Sequence, residues 1–213
     1  MSNRGLSAGM TVHVIQRGNN KARIFESARD SALYLEWLGE AAATYGLAVH
    51  AYVLMTNHIH LLCSLANKNS LARTMQSLGI RYTRYFNAAQ TRTGTLWEGR
   101  FRSCVIDSDA YFIGCSRYIE MNPVRAGLAA SPDVYRWSSY KANALGRADA
   151  LLTRHETYLR LGSDDEARRS AYRAVFDESS LALDERLRAA TNRGIGLDEV
   201  DHIRKVGRPR KAA

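Results

Sequence analysis

The sequence predicts an α+β fold: a ferredoxin-like antiparallel sheet with helices packed on it, continued by a helical C-terminal extension and a basic tail. Three observations lead there. Composition is ordinary for a globular chain, with 46% hydrophobic and 24% charged residues over 213 positions, enough for one compact domain plus an appendage or for two small domains. Runs that alternate apolar and polar residues are interspersed with runs of helical period. The order of these runs is strand, helix, two strands, helix, two strands, helix, so strands pair as hairpins and the helices pack on one face.

Each element has its own signal. Thr11 to Gly18 alternates as a half-buried strand does. Arg29 to Tyr45 places Tyr34, Trp37, Leu38, Ala41 and Tyr45 at helical spacing, and Gly46 follows as a stop. Leu47 to Met55 and His58 to Leu65 read as two strands joined by the polar pair Thr56-Asn57. Leu71, Met75, Leu78 and Tyr82 mark a second amphipathic helix closing near Asn87. Thr95 to Ile106 predicts a further hairpin turning at Glu98-Gly99, and Ser108 to about Met121 a third helix capped by Asp107 or Ser108.

The charge is far from balanced: 30 Lys and Arg against 21 Asp and Glu give +9. An excess of that size favours a polyanionic partner, nucleic acid before an anionic membrane surface. It is unevenly spread. Residues 1–146 carry 16 basic and 9 acidic side chains (+7), residues 147–201 carry 9 and 12 (−3), and residues 202–213 carry 5 and none (+5). A basic body, a mildly acidic extension and a basic tip follow, with the first boundary near Leu145-Gly146-Arg147. No run reaches the ~18 apolar residues of a membrane span, and no signal-peptide core is visible. Cys63, Cys104 and Cys115 are odd in number and lack metal-type spacing, which points to a reducing cytoplasm rather than a disulfide framework.

His58-Ile59-His60 falls on a predicted strand, where period-two alternation puts both imidazoles on one face. Such a pair can chelate one divalent cation, but it also fits one core and one solvated histidine, and it does not choose the metal. On the third helix Tyr118 and Asn122 stand four apart and project from one surface. Pro123 biases Asn122 away from the helical region, so that spacing holds only approximately. Taken alone, Tyr118 also suits a half-buried structural tyrosine and Asn122 a helix-ending turn.

Together these residues are recognisable. Met55-Thr56-Asn57-His58-Ile59-His60-Leu61-Leu62, then Gly94-Thr95-Leu96-Trp97-Glu98-Gly99-Arg100-Phe101, then Arg117-Tyr118-Ile119-Glu120-Met121-Asn122-Pro123-Val124-Arg125-Ala126-Gly127-Leu128 resemble the REP-associated tyrosine transposases. These are relatives of the IS200/IS605 single-tyrosine transposases within the HUH endonucleases. Arg17-Gly18-Asn19-Asn20, Trp137-Ser138-Ser139-Tyr140 and Gly207-Arg208-Pro209-Arg210-Lys211 extend the ordered match from about residue 10 to the C-terminus. The resemblance implies that His58 and His60 hold Mg²⁺ or Mn²⁺ with Asn122 as a polar third ligand. It implies Tyr118 as the nucleophile, and single-stranded DNA bearing repetitive extragenic palindromes, folded as hairpins, as the substrate. A 5′-phosphotyrosine and a free 3′-hydroxyl are then the expected products of cleavage, open to rejoining.

Arg100, Arg102, Arg117 and Arg125 lie near these residues in sequence and are candidate phosphate contacts, though each also suits a solvated surface. Arg17 and Asn19, in the polar loop after the first strand, are further candidates. Trp97, Phe101, Tyr82 and Tyr85 suit base stacking, with the spacing of Tyr82 pointing instead to the core. In the tail, Arg208, Arg210 and Lys211 resemble the Gly-Arg-Pro core of an AT-hook or serve as a plain basic tail. A monomer is favoured over a dimer, because the C-terminal segment can cover a pairing surface. The expected protein is a cytoplasmic, nucleoid-associated transposase, and the alternative is a non-catalytic DNA-binding regulator on the same fold.

Overall fold

The computed structural model describes residues 5–177 and 181–193. The tail with Arg208, Arg210 and Lys211 lies outside the described residues. Four strands, β1 (Thr11–Arg17), β2 (Leu47–Leu54), β3 (His58–Leu65) and β4 (Arg102–Ile106), form one antiparallel sheet in the order β2-β3-β1-β4. Helices α1 (Ala28–Tyr45) and α2 (Ser70–Ala89) supply the two crossovers, and α3 (Asp109–Glu120) follows β4. This is the ferredoxin-like α+β arrangement that the element order predicts. Short helices α4 (Asn122–Arg125), α5 (Tyr140–Leu145) and α6 (Glu156–Leu159) lead to α7 (Asp165–Asp177) and α8 (Leu181–Arg193).

Local chemistry sets the ends of α1. Ser27 Oγ accepts from the Asp30 N–H, while Asp30 Oδ2 accepts from the N–H groups of Glu26 and Ser27, a reciprocal capping box. At the other end Gly46 takes a left-handed φ of 67°, and a Cβ there would stand 2.7 Å from Ala66 Cβ, so only glycine fits. Between β2 and β3 the Met55 N–H donates to the His58 carbonyl, with Thr56-Asn57 at the corner, as the polar pair predicts.

Two expectations differ from the structure. Helices cover both faces of the sheet, not one. Val12, Val14, Ile59, Leu61 and Cys63 bury against Tyr34, Leu38, Leu71, Met75, Leu78 and Tyr82 of α1 and α2. On the reverse face Ala51, Val53, Leu62, Cys104 and Ile106 bury against Phe112, Cys115 and Ile119 of α3 and Leu187 and Ala190 of α8. Strands apolar on both sides need two covers. The second difference is the hairpin expected over 95–106, of which only Arg102–Ile106 is a strand of the sheet. Leu96 turns into the core at 1% exposure, and Trp97 makes an isolated bridge with Gly18. The chain therefore leaves the end of β1 and rejoins the sheet only opposite Ile15.

The Asp30 carboxylate gives a test of the α1 cap. Burial pushes its carboxyl up, but the Tyr85 phenol at 2.7 Å and the backbone donors outweigh this and hold it below the usual range. A depressed acid stabilises the fold above its unfolded pKa and loses that contribution as pH falls through the folded one. Asp30→Ala should cost about 1–2 kcal/mol near neutral pH. The gap to wild type should narrow below about pH 4 in urea unfolding.

Candidate active site

Period-two alternation and antiparallel register bring the site together. Arg17 stands opposite His58 and Ile15 opposite His60, so His13, Ile15 and Arg17 of β1 share a face with His58 and His60 of β3. Tyr118 of α3 descends on this face. Its ring centroid is 5.7 Å from those of His60 and of His13, and the His58 and His60 centroids are 5.0 Å apart. A cleft of about 350 Å³ exposes both histidines of β3, Tyr118, Asn122, Arg125 and Arg188 to one space. The sequence-predicted metal pair, nucleophile and third ligand are thus gathered at one place.

The donor set suits a divalent cation. Asn57 Nδ2 donates to the Lys21 carbonyl, which turns Asn57 Oδ1 toward His58 Nδ1 at 2.7 Å. His58 therefore carries its hydrogen on Nδ1 and keeps the Nε2 lone pair for a ligand. Burial lowers His58 to about 4, with Arg17 adding to it, and burial takes His60 well below its ordinary value, with His13 and His58 adding to that. Both rings are neutral near pH 7, the state that ligates. Asn122 Nδ2 donates to the Tyr118 carbonyl at 3.0 Å, leaving its amide oxygen as the available donor atom at the cleft. Among the described residues no group of three or more His, Cys, Asp or Glu is placed to hold a metal, so a third protein ligand here would be that amide.

Tyr118 is 3% exposed. Burial raises its phenol above the ordinary value near 10, while Arg188 and Arg125 pull it back only in part. The Arg125 guanidinium lies over the Tyr118 ring at 4.4 Å and also donates to the Tyr118 carbonyl and to Asp184 of α8. Two polar anchors hold α3 at the level of this tyrosine. Arg117 Nη2 donates to Asp184 Oδ1 at 2.9 Å. On the opposite flank the buried Glu120 carboxylate accepts from Ser139, Asn143 and Tyr172 at 2.5, 2.9 and 2.8 Å, and burial raises its carboxyl to about 7.

The remaining candidates separate. Arg17, Arg100 and Arg102 surround a hollow that shares Ile15 and Arg17 with the cleft. Asn19 lies in a 3-10 turn past β1, its N–H on the Leu96 carbonyl. Arg117 is a correction: at 6% exposure and ion-paired with Asp184 it faces inward, where no DNA phosphate reaches it. Tyr82, Tyr85 and Trp97 are committed to an aromatic cluster between α1 and α2, and Tyr82 Oη donates to the Ile24 carbonyl. The three cysteines are buried free thiols. Sequence reasoning missed His13, Asp184, Arg188 and Thr191. The alternation that pairs His58 with His60 also puts His13 on a shared face with Ile15 and Arg17. For the three α8 residues no local signal exists.

Comparison with known proteins identifies the family. The family described as "Transposase IS200 like" matches residues 7–122, more than half of the chain, and the chain belongs to it. It is a transposase, an enzyme that acts on DNA. Among solved structures, a REP-associated tyrosine transposase bound to a REP hairpin is similar at 14% identity and a TM-score of 0.55, covering 70% of this chain and 88% of that one, which supports the fold. A Deinococcus radiodurans R1 protein assigned as a transposase aligns at 14% identity and a TM-score of 0.40, over 62% of this chain and 99% of that one. No curated protein matches the chain. Among the described residues no helix is long and apolar enough to cross a membrane.

Removing the acidic partner of the two arginines tests their role. Asp184→Ala leaves Arg117 buried without its carboxylate and should destabilise the fold by about 3 kcal/mol or more, read in urea unfolding. Hydrogen exchange should quicken first in α8.

Proposed function

We propose that this transposase cleaves and rejoins single-stranded DNA at hairpins of the repetitive extragenic palindrome type, with Tyr118 as nucleophile and His58, His60 and Asn122 holding Mg²⁺ or Mn²⁺. The observation that carries the reading is the convergence of a buried tyrosine, two neutral imidazoles and an amide on one cleft. A bound divalent cation would supply Lewis-acid polarisation of a non-bridging oxygen of the scissile phosphate.

The chain's own groups do the rest. Burial between α3 and the sheet holds the Tyr118 ring in one orientation, which removes the entropy of finding the phosphorus. Tyr118 Oη attacks phosphorus and the bond to the 3′ oxygen breaks, giving a 5′-phosphotyrosine and a 3′-hydroxyl. The phenol loses a proton as the departing oxygen gains one. Arg125 and Arg188, beside the phenol, offset negative charge as it builds on the phosphoryl oxygens. The phosphodiester energy is kept in the tyrosyl ester, so a second 3′-hydroxyl can displace Tyr118 and join strands. All of these groups come from one copy of the chain, which favours a monomer that needs no partner's tyrosine.

Arg17, Arg100 and Arg102 extend basic charge from the cleft along the sheet end and suit the backbone of the strand entering or leaving it. In this reading residues 1–146 form the nuclease domain, residues 147–201 the extension, and residues 202–213 a tail whose Arg208, Arg210 and Lys211 hold DNA apart from the cutting site. The enzyme then works in the cytoplasm, on the nucleoid.

Two measurements check this. A hairpin oligonucleotide with single-stranded flanks, incubated with Mn²⁺ or Mg²⁺, should give a covalent protein–DNA adduct on denaturing gels. The adduct should vanish with chelator and in Tyr118→Phe; its survival in that variant, or its absence from all palindromic substrates, overturns the reading. Replacing Arg100 and Arg102 together by Ala should reduce the salt slope of single-strand binding by about 1.4, at roughly 0.7 per phosphate contact.

A further inference from the structure

We infer that His13 and Thr191 are positioning residues that hold His60 as an Nε2 metal ligand, so that α8, beyond the span matched by the transposase family, completes the site. The inference rests on the reading of His58 and His60 as ligands and adds what must stand behind one of them.

The direction of a buried hydrogen-bond chain carries it. Thr191 Oγ1 lies 2.8 Å from the Leu187 carbonyl. A carbonyl only accepts, so the single hydroxyl proton is used there. Toward His13 Nδ1, 2.7 Å away, the same oxygen must then accept, and His13 carries its hydrogen on Nδ1. In the neutral ring His13 Nε2 is left with a lone pair. It lies 2.8 Å from His60 Nδ1, so His60 donates through Nδ1 and keeps its Nε2 lone pair for a cation. Run the other way, the chain puts a hydrogen on His60 Nε2 and blocks ligation. Cys104 Sγ, 3.2 Å from Thr191 Oγ1, is placed to donate to the same oxygen.

Burial gives this direction its force. His13, His60 and Thr191 are 0%, 3% and 2% exposed, so water does not substitute for a missing partner. The His13 and His60 ring planes lie 15° apart with centroids at 5.1 Å, so the two rings meet edge to edge and nearly coplanar about this bond, which fixes the plane in which the Nε2 lone pair of His60 points. His58 obtains the same result locally from its neighbour Asn57. His60 obtains it from a threonine 178 positions away from His13.

The test is a Mn²⁺ titration of the full chain, free Mn²⁺ being read by electron paramagnetic resonance. His60→Ala should abolish binding. Thr191→Val, which keeps the shape and removes the hydroxyl, and His13→Phe, which keeps a ring and removes the acceptor, should weaken Mn²⁺ by about 10- to 100-fold, as groups behind metal ligands do. Thr191→Ser and His13→Gln restore a hydroxyl and an acceptor oxygen and should bind close to wild type. If Thr191→Val and His13→Phe bind like wild type while His60→Ala does not, the positioning role is overturned and the ligand reading stands. If Thr191→Ser is as weak as Thr191→Val with an unchanged melting temperature, packing rather than the hydroxyl is responsible and the inference fails. If His60→Ala binds as tightly as wild type, the ligand reading fails and the inference falls with it.

Discussion

Three imidazoles on one face of the two central strands impose the constraint on which the rest of this structure turns. His13, His58 and His60 sit where a four-stranded sheet would ordinarily bury aliphatic side chains, and a ring nitrogen shut away from water costs free energy unless it is bonded. The covering layer therefore cannot be a purely apolar helix. In the middle of this face α3 is apolar, with Phe112, Cys115 and Ile119 over Leu62 and Ala51, and beyond them Thr11 and Ser64 meet His50 and His155. At the near end the same layer turns polar and brings Tyr118, Arg125 and Thr191 to the histidines. The site exists at that change of character.

Holding a polar layer over a sheet requires anchors, and the chain uses two on either side of Tyr118. Arg117 and Arg125 converge on Asp184, and Glu120 gathers three donors from α5, its preceding turn and α7. Buried charges of this kind contribute little net stability compared with apolar packing, but breaking one is costly. They confer register: α3 cannot slide or rotate without uncoupling a carboxylate. Both anchors draw on the segment beyond residue 122, so the matched transposase core and the C-terminal helices are tied together around the cleft that holds Tyr118.

The basic surface follows the same division. The positive charge of the first 146 residues is not diffuse at the site. Arg117 is spent internally on Asp184, Arg125 is divided between Asp184 and the tyrosine, and Arg17, Arg100 and Arg102 gather around the neighbouring hollow. Residues 96–101 leave the sheet where Leu96 is buried, and this detour sets Glu98 beside the three arginines around one surface hollow.

Local periodicity made much of this legible in the amino-acid sequence. Alternation located β1, β2 and β3; helical spacing and caps located α1, α2 and α3; and period two alone put His58 beside His60. One helical turn put Asn122 above Tyr118, and the amide-to-carbonyl bond between them keeps that relation despite Pro123. Spacing misled where the deciding partner was remote. Residues 95–106 look like a hairpin, yet Leu96 is claimed by the core, and Arg117 looks like a surface cation, yet Asp184 lies 67 positions away. The sequence by itself determined the sheet's elements and which side chains share a strand face, because backbone periodicity is a property of neighbouring residues. Only tertiary structure decided which buried polar groups meet, His13 with Thr191 and Arg117 with Asp184. A buried donor must find whatever acceptor the packing brings to it, and no spacing along the chain encodes that distance.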